Sequence, residues 1–202
     1  MIKVCILDYG SGNVSSVKNL LEHLKFKCTI SNKTEVLKKS THIILPGVGA
    51  FEAAMKKIKK KIPFKILENE VLNKNKPFLG ICVGMQLLAD SSQEFGSHKG
   101  FGWIKGSVKK IKSKKLPHIG WNDIILKNKT KIVDDLGIYK DFYFVNSFYF
   151  DPKEKEFVVA ETKYGHKFCS IVQKKNIVGV QFHPEKSQKS GQFIIKNFLK
   201  MK

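Results

Sequence analysis

The sequence predicts an α/β fold in three layers: an open, mostly parallel sheet flanked by helices, with antiparallel hairpins in the C-terminal half. Before Ser91, short apolar runs alternate with helical stretches, which is typical of βα units around a parallel sheet. After Ser91, closely spaced apolar runs replace this alternation. A chain of 202 residues is long enough for one domain with a hydrophobic core and short for two, so we expect a single domain spanning residues 1–202.

In the N-terminal half, each element follows from the spacing of its apolar residues. Short apolar runs predict buried strands at residues 3–7, 28–30, 42–45 and 77–81. Between these runs apolar residues recur at helical spacing, as at Val14, Val17, Leu21 and Leu24, which share one helix face. We therefore predict helices at residues 14–25 and 34–38, and a longer pair within residues 51–73.

The C-terminal half contains six further apolar runs, which predict strands and hairpins. These runs lie within residues 100–112, 117–126, 142–150, 157–163, 168–173 and 177–182. Apolar residues at helical spacing then predict a closing helix at residues 191–199.

The formal net charge of +20 raises the question of nucleic-acid binding, because a cationic surface attracts phosphate. Every one of the 37 basic residues is lysine, however, and arginine supplies the planar fork that clamps phosphate and recognises guanine. The lysines are scattered over the polar faces, and their densest run, at residues 56–61, is most simply a solvated helix face. We expect no nucleic-acid partner.

The N-terminal segment, the short apolar runs and the cysteine content together favour a cytoplasmic protein. The first seven residues are strand-like and lack a signal-peptide pattern, and no apolar run approaches the length of a membrane span, so we expect no membrane association. The four cysteines include no Cys-x-x-Cys pair, which argues against a disulfide framework and against a zinc site. We expect neither a metal nor a cofactor.

Cys82 is the first candidate for a catalytic nucleophile. It stands between Gly80 and Gly84, after the apolar run at 77–81 and before a helix-like segment at 83–88. This is the pattern of a nucleophile elbow, a sharp strand-to-helix turn that lifts its central residue clear of the sheet. The positive end of the following helix favours the thiolate. The remaining cysteines lie inside strand-like runs and are expected to be buried and inert: Cys5, Cys28 and Cys169.

A nucleophile of this kind needs a base, and the base needs a group that orients it. The apolar run at 177–182 leads directly to His183, Pro184 and Glu185. Proline stops the strand, so His183 and Glu185 are expected in a loop where the carboxylate can hold the imidazole tautomer. His-Pro-Glu alone is more often a turn than a catalytic pair, but together with Cys82 it predicts a Cys-His-Glu triad.

Two glycine-bearing loops follow predicted strands, where open α/β sheets place their ligands. The first, at residues 8–13, fails as a dinucleotide fingerprint because Ser15 occupies the place of the third glycine. The second contains Gly47, Val48 and Gly49. A backbone N–H from this loop, with that of Val83, would form an oxyanion hole; the alternative is a plain strand-to-helix turn.

These motifs resemble those of the class I (triad) glutamine amidotransferases and, within them, of the glutaminase subunits of imidazole glycerol phosphate synthase. Gly-x-Cys-x-Gly and His-Pro-Glu belong to all triad amidotransferases, whereas Pro-His-x-Gly-Trp-Asn and His-Pro-Glu-Lys-Ser indicate this subunit. The resemblance runs nearly end to end, at residues 9–13, 45–49, 80–86, 117–122, 143–147, 164–168 and 181–187.

The resemblance implies an enzyme of histidine biosynthesis that hydrolyses glutamine. Cys82 would attack the carboxamide, and His183, oriented by Glu185, would protonate the departing ammonia and then activate water against the thioester. The ammonia would pass to a (β/α)8 cyclase subunit, in a heterodimer that forms imidazole glycerol phosphate and AICAR. By their position in the family pattern, the contacts to glutamine would be Gln86, Glu94 and the backbone around Ser147.

The resemblance also implies a partner interface on the face that bears the active site. Asn13, Trp121 and Lys186 match interface positions of the family; without an interface they would be a helix N-cap, a core tryptophan and an exposed lysine. The family's glutaminase is weak until its partner is loaded, so the loop at 47–49 is expected to act as a switch.

Two positions depart from the family pattern. Asn146 stands where histidine is usual, and Phe148 where tyrosine is common. Neither belongs to the triad, so hydrolysis should survive. The departures leave open a related subunit that supplies ammonia for nucleotide-sugar or surface-glycan amidination. The sequence is also compatible with a basic, non-enzymatic binding module and with a hydrolase or glyoxalase-like relative that has the same cysteine elbow.

Overall fold

A computed structural model describes residues 1–202. The strands are β1 (Lys3–Leu7), β2 (Lys27–Ser31), β3 (His42–Gly47), β4 (Phe78–Cys82), β5 (Ser91–Ser92), β6 (His98–Lys99), β7 (Gly106–Lys110), β8 (His118–Asp123), β9 (Ile125–Leu126), β10 (Asp141–Asn146), β11 (Phe148–Pro152), β12 (Val158–Tyr164), β13 (His166–Lys174) and β14 (Ile177–Val180). The α-helices are α1 (Val14–His23), α2 (Thr34–Lys39), α3 (Phe51–Lys61), α4 (Phe64–Glu68), α5 (Val83–Gln86) and α6 (Gln188–Leu199).

Eight strands form the main sheet, in the order β2-β1-β3-β4-β14-β13-β12-β9. The first five strands in this order are parallel to one another, and the last three are added in antiparallel pairs. The strand β14 is therefore inserted beside β4 in the middle of the sheet, with Val180 opposite Ile81. The predicted mostly parallel sheet with antiparallel pairs in the C-terminal half is confirmed.

Two smaller sheets lie outside the main one: a ribbon of β8 and β10, and a four-stranded sheet in the order β11-β7-β5-β6. The apolar run at 142–150 divides at Ser147, so that β10 pairs with β8 while β11 pairs with β7. The run at 117–126 divides at Ile124 in the same way, between the ribbon and the edge of the main sheet. Within the predicted strand region at 100–112, only Gly106–Lys110 is extended strand.

Helices flank the main sheet, with three corrections to their predicted bounds. The helix predicted at 14–25 ends at His23, because Lys25 turns out of the helix with φ 64°. The pair predicted within 51–73 consists of α3 and α4, followed by a π-helical turn at Asn69–Asn73. The helix predicted at 83–88 is the single turn α5, since Leu88 N–H bonds the carbonyl three residues before it.

One hydrophobic cluster of 54 buried residues joins the sheet to its helices. The cluster includes Cys82 itself, so the nucleophile candidate stands on the rigid centre of the molecule rather than on a peripheral loop. None of the helices combines the length and apolarity that crossing a membrane requires.

Candidate active site

Cys82 occupies a strained turn between β4 and α5. Its φ of 54° and ψ of −112° lie in a region that non-glycine residues rarely adopt, as expected for a nucleophile elbow. Both flanking glycines are needed at close backbone approaches: a Cβ at Gly80 would collide with the carbonyl of Gly84, and a Cβ at Gly84 with the carbonyl of Leu45. The turn therefore holds the sulfur at the carboxyl end of the central strand.

His183 reaches the same end of the sheet because its strand, β14, is the neighbour of β4. Pro184 ends the extended segment and begins a short 3₁₀ turn, Pro184–Lys186. The backbone N–H of His183 donates to the carbonyl of Tyr143 at 2.9 Å, and the Ser187 hydroxyl donates to the His183 carbonyl at 2.6 Å. These bonds fix the turn against the β8–β10 ribbon.

The imidazole of His183 connects Glu185 to Cys82. Its Nδ1 lies 2.8 Å from Glu185 Oε1, which leaves the other ring nitrogen for the Cys82 sulfur. All three side chains are buried. Burial disfavours the imidazolium, but hydrogen bonds and charge from Cys82 and Glu185 outweigh it and raise the pKa of His183 to about 10. The arrangement favours an imidazolium beside the sulfur at neutral pH.

The loop after β3 lies directly beside the elbow. In the parallel ladder Gly47 pairs with Cys82, and a Cβ at Gly47 would stand 2.6 Å from the backbone nitrogen of Gly84. Val48 is 41% exposed, and Gly49 has φ 90°, which the absence of a side chain makes accessible. Val48 and Gly49 of the loop and Val83, the first residue of α5, line the same cleft as Cys82.

A cleft of about 350 Å³ opens over the sulfur. Gln86 faces it from α5, and its Nε2 donates to the Phe148 carbonyl at 3.0 Å. Glu94 is 9% exposed and accepts the backbone N–H of Phe51 at 2.6 Å, so one oxygen of the carboxylate is fixed at the start of α3. The predicted nucleophile, base and substrate contacts meet here, since the cleft lining includes Val48, Gly49, Cys82, Val83, Gln86, Glu94, Ser147 and His183.

Of the three predicted interface residues, Lys186 lines this cleft, whereas Asn13 and Trp121 do not. Trp121 is 46% exposed on the β8–β10 ribbon, so it is not a core tryptophan. Asn13 precedes α1 but makes no side-chain capping bond; its Nδ2 instead lies 3.3 Å from Glu185 Oε1. Lys186 lines the cleft, with its Nζ 5.6 Å from the centre of the Tyr143 ring.

Three further residues, two lining the cleft and one buried beside Cys82, have no contact predicted from the sequence. Gln181 is fully buried and donates from Nε2 to the Cys82 sulfur at 3.7 Å. Asn146 lines the cleft and donates to the Phe148 carbonyl at 3.0 Å. Phe95, 86% exposed with φ 54°, stands at the rim. Two of these residues carried a signal in the sequence: Gln181 by its position two residues before His183, and Asn146 by its departure from the family pattern.

The other cysteines have a different environment. Burial raises the pKa of Cys5 to about 11 and also raises the pKa values of Cys28 and Cys169. None of them lines the cleft. A larger groove of about 730 Å³ borders Cys28 at the β2 edge of the sheet, but it contains no histidine to act as a base.

Fold and site together define a class of protein, and comparison with known families agrees. Residues 5–201 match the family model described as glutamine amidotransferase class-I. The chain belongs to the class-I glutamine amidotransferases.

Within that class, its relatives include subunits of one particular synthase. The chain is 43% identical over 202 residues to imidazole glycerol phosphate synthase subunit HisH 2 of Vibrio vulnificus, covering 98% of this chain and 94% of that protein. It is also 43% identical to the HisH 2 subunit of Methanococcus maripaludis, with 98% of each chain covered. The HisH subunit of Aquifex aeolicus is 40% identical, with 98% of this chain and 96% of that one covered.

Solved structures share the fold at lower identity. The structure of PurLQS from Thermotoga maritima superposes with a TM-score of 0.75 at 19% identity, covering 98% of this chain and 97% of that one. A structure described as a glutamine amidotransferase gives a TM-score of 0.74 at 18% identity, with 97% and 96% covered. These likenesses establish the three-layer arrangement of sheet and flanking helices.

Proposed function

We propose that this chain, as a single domain, is the glutaminase subunit of an imidazole glycerol phosphate synthase, and that Cys82, His183 and Glu185 are its catalytic triad. The observation that carries the proposal is one cleft in which a strained, imidazole-paired sulfur meets a carboxylate and an amide suited to glutamine. The names of relatives 43% identical over the whole length support the same assignment.

The first half of the reaction forms a thioester. The Cys82 thiolate adds to the carbonyl carbon of the glutamine side chain, and backbone N–H groups of Val83 and the 47–49 loop stabilise the oxyanion. His183, which its raised pKa keeps protonated at neutral pH, gives its proton to the amide nitrogen. The C–N bond breaks, ammonia departs, and the acyl group remains on sulfur.

The second half releases glutamate. His183, now neutral, takes a proton from water, and the resulting hydroxide adds to the thioester carbon. Collapse of this second tetrahedral species breaks the C–S bond, which returns the thiolate beside a protonated His183, and the new γ-carboxyl group loses its proton to water as glutamate leaves. Glu185 holds the ring in one orientation through both halves, because its Oε1 is bound to Nδ1 at 2.8 Å.

One charged group of the cleft matches one end of glutamine. Glu94 supplies a carboxylate for the α-ammonium group, and its bond to the Phe51 N–H holds that carboxylate in place. Gln86 Nε2 donates to two protein oxygens, so its Oε1 is the atom left to accept a hydrogen bond from the substrate, beside the backbone at Ser147. The substrate is therefore bound as a zwitterion whose carboxamide faces the sulfur.

The ammonia acceptor would be formed with a (β/α)8 cyclase subunit, in a cytoplasmic heterodimer. The β8–β10 ribbon supports a docking surface there: Ile119 and Trp121 are 59% and 46% exposed on one strand, while Val145 on the other strand lines the cleft. Exposed apolar side chains beside a catalytic cleft are typical of an interface. Closure of that surface would keep ammonia from protonation in water.

Asn146 supports a second candidate for the final acceptor. It is buried at the cleft, where histidine is usual in the resembled subunits. A subunit with the same glutaminase chemistry that serves nucleotide-sugar or surface-glycan amidination would keep the triad and change this contact. The two candidates differ in the barrel partner that they activate.

The test is a glutaminase assay with purified barrel subunits of each kind. Glutamate release should rise sharply when the imidazole glycerol phosphate cyclase and its nucleotide ligand are added, and Cys82→Ser should abolish the release. No response to that cyclase, together with a response to a glycan-pathway barrel, would favour the second acceptor. Absence of glutamate release with every partner would contradict the glutaminase assignment.

A further inference from the structure

Gln181 lies between the nucleophile and one of the proposed substrate contacts. It follows β14 directly and has no exposed surface. Its Oε1 accepts a hydrogen bond from Gln86 Nε2 at 3.0 Å, and its Nε2 donates to the Cys82 sulfur at 3.7 Å. One buried amide thus contacts both groups.

The orientation of this amide follows from its neighbours. Gln86 Nε2 lies 3.0 Å from the Phe148 carbonyl, which can only accept, so the Gln86 atom at that position must be the donating nitrogen. The same NH₂ group lies 3.0 Å from Gln181, which must therefore present its acceptor oxygen to Gln86. The Gln181 nitrogen is left facing the sulfur. A backbone carbonyl thus determines, through two side chains, that Cys82 receives an N–H donor.

The donor matters for the charge on sulfur. The Val145 carbonyl lies 3.9 Å from the Cys82 sulfur, a position suited to accept from the neutral thiol but repulsive toward a thiolate. The His183 ring and the Gln181 amide are the donors on the other sides. Hydrogen bonds to an ionised acceptor are stronger than those between neutral groups, and burial strengthens them further.

We propose that Gln181 belongs to the catalytic machinery: its N–H stabilises the Cys82 thiolate in one rotamer, while its Oε1 positions the Gln86 amide at the cleft. The proposal rests on the proposed glutaminase reaction for its role in turnover. Its effect on the sulfur concerns the free chain and needs neither glutamine nor a partner. Gln181 links the two, since displacement of Gln86 would also displace the donor to sulfur.

Alkylation of Cys82 by iodoacetamide, followed by mass spectrometry between pH 5 and pH 10, tests the effect on sulfur. The alkylation midpoint is the pH at which the alkylation rate reaches half of its maximum. Gln181→Glu keeps the acceptor toward Gln86 but turns a carboxylate oxygen to the sulfur, so the alkylation midpoint should rise by about one pH unit or more. Gln181→Met removes both hydrogen bonds at similar volume and should raise the midpoint less. The matched control is Gln173→Met, a partly exposed glutamine of β13 outside the cleft, which should leave the midpoint unchanged.

Steady-state glutaminase kinetics with the barrel partner separate the two roles. Gln181→Met should lower kcat about tenfold through the sulfur and raise KM through the loosened Gln86 amide. Wild-type midpoints in both Gln181 variants would overturn the proposal. If neither variant folds, the alkylation midpoint is measured in Gln86→Met instead. A raised midpoint supports the link through Gln181, and an unchanged midpoint overturns the proposal. If the Gln181 variants shift the midpoint but the chain never releases glutamate, the role of Gln181 at the sulfur is supported and only the proposed glutaminase function is contradicted.

Discussion

Asn13 Nδ2 lies 3.3 Å from Glu185 Oε1, the same carboxylate oxygen that binds His183 Nδ1 at 2.8 Å. The loop that precedes α1 therefore contacts Glu185, the group proposed to orient the catalytic base. Asn13 occupies the N-cap position of α1, yet its side chain makes no capping bond there. Its side chain is directed to the proposed triad instead of to its own helix.

Replacing Asn13 by aspartate should weaken glutamine hydrolysis without unfolding the chain. The new carboxylate would lie about 3.3 Å from that of Glu185, and like charges at that separation repel. We expect kcat with the barrel partner to fall about tenfold, because Glu185 would be pushed from the imidazole. Asn13→Ala, which removes the donor without adding charge, should have a smaller effect; equal losses in both variants would contradict the electrostatic explanation.

Glu185→Gln should lower the pKa of His183 from its value of about 10. The carboxylate supplies both a hydrogen bond and negative charge to the imidazolium, and the amide keeps at most the bond. Glutaminase kcat should fall by roughly 10²-fold or more, by comparison with other triads that lose the charge of their orienting acid. An NMR titration of the His183 ring measures the first effect, and an unchanged titration would contradict the assigned charge balance.

Trp121→Ala should weaken binding of the barrel partner. Large exposed aromatic side chains at interfaces often contribute about 2 kcal/mol or more, which corresponds to a rise in Kd of roughly 30-fold. Ile138 offers a matched control, since it is 88% exposed but lies outside the β8–β10 ribbon. Calorimetric titration of both variants with the partner is the measurement, and equal Kd values for Trp121→Ala and wild type would remove the ribbon from the interface.

Gly84→Ala should destabilise the fold at the elbow. The added Cβ would collide with the Leu45 carbonyl, and neither backbone segment can move freely in the buried sheet. A loss of about 3 kcal/mol in the free energy of unfolding is expected. Gly137→Ala is the comparison: it has φ 50° but nothing within 4 Å of a Cβ, so only conformational strain remains. Urea unfolding that gave the same loss for both would refute the steric argument.

Because His42 is buried, we expect the folded chain to lose stability in mild acid. Burial lowers its pKa below the ordinary 6.5, against a smaller opposing effect of its hydrogen bond to the Met201 carbonyl. The unfolded chain therefore binds this proton more readily, so the contribution of neutral His42 is complete above pH 6.5 and is lost as the pH falls below it. The difference in unfolding free energy between wild type and His42→Gln should shrink from pH 7.5 to pH 5.0; a constant difference would disprove this account.

Local sequence was enough to predict the elements around Cys82 and His183. A glycine pair restricts the backbone at Cys82, and Pro184 ends the strand before its helical turn, so short segments determine both conformations. The parallel half of the sheet was predictable for a similar reason, because buried strands between helices have continuous apolar runs.

The contacts of Gln181 were not predictable in this way. Gln181 and Gln86 are 95 residues apart, and they meet only because β14 is inserted beside β4. Hydrophobic periodicity does not specify which strand becomes the neighbour of another. The end of β10 and the start of β11 at Ser147 could not be predicted from the sequence for a related reason. The aromatic run continues across Ser147, and the two strands belong to different sheets only because β10 pairs with β8 and β11 with β7.

The insertion of β14 beside β4, with Ile177 opposite Phe78, also bears on synthesis. On the ribosome, the sulfur of the elbow emerges about a hundred residues before His183, the base proposed to activate it. A nascent chain therefore carries the proposed nucleophile without the proposed base, and we expect unfinished molecules not to hydrolyse glutamine. The same long-range pairing is of the kind that slows folding, because its loop-closure entropy must be lost before the contact forms.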